Sequence, residues 1–152
     1  MNRRRRLSST TFNHITMTTE KQNANAPTPQ RPGEPHLLDA PLIEIDLAHF
    51  ARRLKTEPPW KTGDRNAVTL CKTQGLRVVM MALHEGSVLA EHATAGILSL
   101  QVLEGKIRFA DQGKTYDLAQ GQMLCLHKGI RHGLTAVTES VVLLTLAWLP
   151  EG

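Results

Sequence analysis

Aromatic residues make up only 4% of this 152-residue chain, so its core has to be assembled from Val, Leu, Ile, Met and Ala. Cysteine occurs only twice, at Cys71 and Cys125, with no Cys-x-x-Cys pair. Two cysteines 54 residues apart build no disulfide framework. Each lies in an apolar, strand-like run and reads as a buried free thiol in a reducing cytoplasm, with a single bridge between adjacent strands as the alternative. No window reaches the roughly 18 apolar residues of a membrane-spanning helix. The chain also lacks a Walker loop, a Gly-x-Gly-x-x-Gly turn and a Gly-x-Ser-x-Gly elbow, so no nucleotide cradle or serine-nucleophile motif is present. It lacks a basic domain face as well. The formal charge of +4 comes from Arg3, Arg4, Arg5 and Arg6, and the remainder carries 14 basic against 14 acidic residues. Nucleic acid is therefore not an expected partner, nor is a membrane.

Patterned sequence starts late. Residues 1–36 are rich in Arg, Thr, Asn, Gln and Pro without apolar periodicity, and read as a disordered arm. The arginine run is followed by Leu7-Ser8-Ser9-Thr10-Thr11, too polar for a signal-peptide core, and Met17 would serve equally well as a translation start. Residues 37–64 read as an edge strand around Leu42–Ile45 and a short helix. Asp46 would cap that helix, and Leu47, Phe50, Ala51 and Leu54 would share one face. Thr56-Glu57-Pro58-Pro59 ends it, and Trp60 reads as a lid on the outer wall of a β-barrel. From residue 65 to 150 the pattern is β throughout. Short strands recur every 8–12 residues between glycine-bearing turns at Gly75, Gly86, Gly105, Gly113, Gly121 and Gly129, which suits an all-β jelly-roll barrel. Val78–Met81 and Val141–Leu149 are apolar at both parities, so those strands need cover on both faces.

Two stretches share one grammar. Gly86–Gly105 (GSVLAEHATAGILSLQVLEG) and Gly121–Ala136 (GQMLCLHKGIRHGLTA) each run glycine, strand, histidine. Here the chain resembles the cupin superfamily, in particular its small single-domain members of the conserved-barrel type. The first cupin motif is Gly, five residues, His-x-His, three or four residues, Glu, six residues, Gly. Gly86, His92 and Gly105 match it, while Thr94 stands at the second histidine position and Leu98 at the glutamate. The second motif is Gly, five residues, Pro-x-Gly, two residues, His, three residues, Asn. Gly121, Gly129 and His132 match, with His127 at the proline and Ala136 at the asparagine. The resemblance implies a double-stranded β-helix over roughly residues 65–148. Of the four side chains that commonly hold a metal in cupins, His92 and His132 remain, so the metal motifs are degenerate.

The resemblance also implies that His92 and His132 enter one cavity from different strands. Metal candidates are then His92, His132, His127 and His84, and a divalent transition metal (Fe, Mn, Zn or Ni) is the cofactor they would hold. Ligand-pocket candidates are His92, Thr94, Leu98, Leu100 and His132, with Met80 and Met123 as further apolar lining. Glu85, Glu91 and Glu104 occupy turn or opposite-parity positions and read as solvated. Loss of the glutamate and of the second histidine favours a small-molecule-binding barrel over a dioxygenase- or isomerase-like metalloenzyme. The surplus apolar face of the last strand predicts a homodimer, which sedimentation at micromolar concentration checks.

Overall fold

The computed structural model describes residues 37–149, so the expected disordered arm and the alternative start at Met17 lie outside the described residues. Helix α1 spans Leu47–Leu54. Asp46 caps it by accepting the His49 backbone N–H at 3.1 Å, and Phe50, Ala51 and Leu54 form its buried face. The prolines that end α1 also start a second, unanticipated helix, α2 (Pro58–Thr62). Proline is tolerated at the first helical positions because its missing N–H would be unpaired there anyway. That extra turn presents Trp60 inward, 8% exposed. Residues 37–46 form no strand, although the Lys72 backbone N–H donates to Leu38 O at 2.8 Å.

Nine strands come next among the described residues: β1 (Arg65–Lys72), β2 (Leu76–Leu83), β3 (Val88–His92), β4 (Ile97–Glu104), β5 (Lys106–Asp111), β6 (Lys114–Ala119), β7 (Met123–Leu126), β8 (His132–Ala136) and β9 (Ser140–Ala147). They form two antiparallel sheets, a five-stranded one in the order β1-β2-β9-β4-β7 and a four-stranded one in the order β3-β8-β5-β6. The fold is all-β, with two sheets that close on each other. Turns at Gly86, Gly105, Gly113, Gly121 and Gly129 all take positive φ, the conformation that favours glycine.

Strand alternation sorts the apolar residues into two cores. Val79, Met81 and Leu83 of β2, Leu98, Leu100 and Val102 of β4, Ile107 and Phe109 of β5, and Val142 and Leu144 of β9 meet between the sheets. The opposite parity of β1, β2 and β9 (Val68, Leu70, Met80, Ala82, Val141) packs outside the barrel against Phe50, Leu54 and Trp60. The doubly apolar runs of β2 and β9 thus exist because the helices cover the sheet from outside. Lys55, just past α1, pins this cover by pairing with Glu104 at 2.7 Å and Glu139 at 3.3 Å.

Two expectations change here. Cys71 is half-buried and Cys125 exposed, on strands at opposite edges of the five-stranded sheet, so neither a buried pair of thiols nor a bridge results. Met80 belongs to the outer core and Met123 is 53% exposed on edge strand β7, so neither lines the barrel interior. Among the described residues, no helix is long and apolar enough to cross a membrane.

Candidate functional site

The site is built on the four-stranded sheet. His92 closes β3 and His132 opens β8, and the two are register partners. Plain alternation from buried Leu89 would turn His92 outward. A β-bulge between Leu89 and His92 prevents this: three steps along β3 oppose two along β8, from Leu134 to His132. Ala90 and Glu91 are both exposed as a result, and His92 swings back inside. Gly133 sits beside the bulge, where an added Cβ would lie 3.2 Å from Leu89 O.

Both imidazoles are buried, His92 at 6% and His132 at 3% exposure, with ring centroids 4.5 Å apart. Each is oriented by the backbone carbonyl two residues before it. His92 Nδ1 is 2.9 Å from Ala90 O and His132 Nδ1 is 2.8 Å from Ile130 O. A carbonyl can only accept, so each Nδ1 carries a proton, and it is Nε2 that would hold the lone pair in the neutral form of either ring. Neither Nε2 has a hydrogen-bond partner among the described residues, although both atoms are buried. The two histidines line a cavity of about 10 Å³, room for one water-sized group. Its other walls are Leu89, Leu98, Leu100, Phe109, Gly133, Leu134 and Leu144. Phe109 stacks on His132 with centroids 5.4 Å apart and planes 14° from parallel.

The sequence-derived candidates divide cleanly. His92, His132, Leu98 and Leu100 come together around this cavity. Thr94 lies beyond the end of β3, half-buried, and donates its hydroxyl to Gly96 O at 3.0 Å rather than lining the cavity. His127 is exposed just past β7. His84 lies outside the barrel, stacked on Trp60 at 3.4 Å, with Nε2 bonded to Trp60 O at 2.8 Å. Glu91 pairs with Arg131 at the surface.

Sequence reasoning misses Asp111. It reads there as the start of a hairpin turn, yet it is the last residue of β5 and shares parity with the buried Ile107 and Phe109. It is the register partner of His132 on the side away from His92, and its Oδ1 is buried without a partner among the described residues. Two-residue counting from Phe109 is the signal that could have found it.

Burial holds the His132 imidazolium pKa below its usual value, outweighing the Ile130 carbonyl, which acts in the opposite direction; His92 lowers it further and Asp111 raises it. The unfolded chain therefore binds this proton more readily than the folded one. Stability from neutral His132 is complete above about pH 6.5 and is lost as pH falls below it toward the depressed folded value. The expected slope is at most about 1.4 kcal/mol per pH unit. Thermal unfolding from pH 8 to pH 5 should show this loss in the wild type and a shallower one in His132→Leu; equal slopes would locate the pH sensitivity elsewhere.

A metal implied by the fold is tested by the donor set. Among the described residues no three of His, Cys, Asp or Glu come together as a metal-holding group. Two imidazole nitrogens fall short of the three or more protein ligands that divalent transition-metal sites use. The residues do not fit such an ion.

No family model and no curated protein matches the chain. Solved structures do. A conserved protein of unknown function from Streptococcus pyogenes is 28% identical, with a TM-score of 0.54 over 58% of this chain and 76% of that one. An RmlC-like cupin from Desulfovibrio desulfuricans is 27% identical, with a TM-score of 0.51 over 55% of this chain and 81% of that one. A point mutant of salicylate 1,2-dioxygenase from Pseudoaminobacter salicylatoxidans has a TM-score of 0.64 over 77% of this chain and 38% of that one; at 19% identity it shares the fold alone. In its two-sheet barrel this chain shares its fold with solved proteins of the cupin superfamily, among them the RmlC-like cupin at 27% identity and a cupin 2 conserved barrel domain protein from Leptotrichia buccalis at 26%.

Proposed function

We propose that this protein is a small-molecule-binding barrel anchored by His92 and His132. One observation carries the reading: two neighbouring imidazoles line one otherwise apolar cavity, and each keeps a buried Nε2 without a hydrogen-bond partner among the described residues. Buried polar atoms are nearly always hydrogen-bonded, and exceptions mark places where a ligand or water completes the set. A few convergent polar groups in an apolar recess are the usual build of a ligand site. The group that reaches the histidines has to be about the size of a water molecule, given the cavity of about 10 Å³. A metalloenzyme that recruits His127 or His84 is disfavoured, because one is exposed and the other is committed to Trp60.

The test is imidazole ¹⁵N NMR against a panel of small metabolites, on the wild type and on the His92→Ala/His132→Ala double variant. Ligands that move both Nε2 resonances and lose binding in the double variant are the expected result. Hits that bind the folded double variant equally well would overturn the reading. A reducing, cytoplasmic setting agrees with the two free thiols. With the outer face of β9 covered by the helices, the proposed homodimer would use the β7 edge of that sheet, where Met123 is exposed.

A further inference from the structure

We propose that the loop of residues 127–131, between β7 and β8, is the gate of the histidine cavity, and that Ile130 couples its opening to the tautomer of His132. This deepens the ligand-binding reading and rests on it. The cavity walls stand on β3, β4, β5, β8 and β9. Four of these strands, β4, β5, β8 and β9, are hydrogen-bonded to a neighbour on each side, so none can move aside without breaking two ladders. The two histidines lie at strand ends, His92 as the last residue of β3 and His132 as the first of β8. The backbone next to them, residues 93–96 and 127–131, belongs to neither sheet. One bond joins these two segments: the Gly129 N–H donates to Thr94 O at 2.9 Å.

The loop is lightly held. Among the described residues its polar ties to other segments are the Gly129–Thr94 bond and the exposed Arg131–Glu91 pair, which contributes little. His127, Lys128 and Gly129 are exposed. Gly129 turns at a φ of +78°, and a Cβ there would meet nothing within 4 Å, so the turn has room to pivot. Ile130 differs from its neighbours: half-buried, it packs against the inner core. Its carbonyl also accepts the His132 Nδ1–H at 2.8 Å. Withdrawing Ile130 therefore removes both a plug and the acceptor that fixes the His132 proton on Nδ1. Ile130 is a positioning residue, acting on a ligand through His132. A group that donates to His132 Nε2 stabilises the Nδ1–H tautomer, and by linkage it also stabilises the closed loop. His92 is oriented by Ala90 O, within its own strand, so its tautomer is independent of the loop. A second opening competes with this one. Tyr116 on edge strand β6 is 44% exposed, although its register partner Phe109 is buried. On that side the cavity is walled by Phe109 itself, on a strand paired on both sides.

The experiment follows hydrogen exchange by NMR in the wild type and in Ile130→Ala. The Gly129 amide and the His132 Nδ1–H should exchange through one local opening, at least about tenfold more often than the Leu144 amide on the central strand β9. Ile130→Ala should raise both opening equilibria by the same factor, about threefold or more, and leave the His92 Nδ1–H unchanged. Diethyl pyrocarbonate, which labels imidazole nitrogens, reads access. Labelling of His92 and His132, located by peptide mass, should quicken in Ile130→Ala and not in Tyr116→Ala. Exposed His127 serves as the internal standard. Ile130→Val replaces Ala if that variant does not fold, and the wild-type exchange comparison needs no variant. Gly129 and His132 protons that exchange only together with the Leu144 amide would overturn the gate. So would labelling quickened by Tyr116→Ala alone, or a His132 proton insensitive to Ile130→Ala. Any of these leaves the metabolite panel to decide the ligand-binding reading. Coupled exchange with no binder in that panel would instead remove the reading, and the gate's role with it.

Discussion

Phe109→Ala is expected to destabilise the protein by about 3–5 kcal/mol, and at the same time to open the chamber beside the histidine pair. Phe109 is 1% exposed, sits between the sheets on β5, and already walls the cavity next to His132. Truncations cost most where the surroundings cannot collapse into the space. Here the vacated volume would merge with an existing cavity, and its rim is held by strands paired on both sides, β8 and β6 with β5, and β2 and β4 with β9. The loss therefore belongs in the upper part of that range. Denaturant unfolding would measure it, with the slope unchanged if the unfolded state is not altered. Benzene or xenon uptake by the variant, absent from the wild type, would report the opened space, since apolar cavities of sufficient size stay dry and admit such probes. A loss below about 1 kcal/mol without uptake would mean that the sheets close over the gap.

The legibility of each feature in the sequence depends on the physical signal it rests on. Glycine turns and period-2 alternation are local, so the strand succession and the inward side of β4 can be read directly, whereas β2 and β9, apolar at both parities, hide theirs, and Met80 reads as pocket lining although it packs outside. Motif spacing implies that His92 and His132 enter one cavity from different strands; their direct opposition across β3 and β8 is a matter of register. The bulge in β3 cannot be read. It depends on what β8 offers opposite, and Ala90-Glu91 carries no mark of an extra residue. Met123 and Cys125 mislead for a related reason: an apolar run looks the same on a central strand as on β7, and only the sheet order leaves β7 without an outer neighbour. Pro58-Pro59 reads as a stop, and the same fixed φ that stops α1 starts α2. Asp111 is hidden by chemistry, because Asp-x-Gly spells a turn even where the aspartate itself still belongs to the strand.

The largest effect of a single methyl group is expected at Gly105, the hinge where β4 passes from one sheet and β5 enters the other. Its φ is +80°, a region that costs a non-glycine residue roughly 1–3 kcal/mol. The added Cβ would also collide with the Glu139 carbonyl oxygen and lie 2.6 Å from Ser140 Oγ and 2.9 Å from Ser140 Cα. None of these can move cheaply. Ser140 is fully buried, and its hydroxyl accepts from Lys106 N at 3.1 Å and lies 3.1 Å from Lys106 O and 2.8 Å from Thr138 O. Gly105→Ala should therefore cost about 4 kcal/mol or more, a large share of the roughly 5–15 kcal/mol that holds a domain together. Gly113→Ala separates the two causes. Gly113 has a φ of +86°, but a Cβ there meets nothing within 4 Å, so it incurs the backbone strain alone. Denaturation midpoints of the two variants should differ by the cost of the collision, with Gly105→Ala far lower. Equal midpoints would show that the Glu139–Ser140 turn yields, and that strain at the glycine is the whole effect.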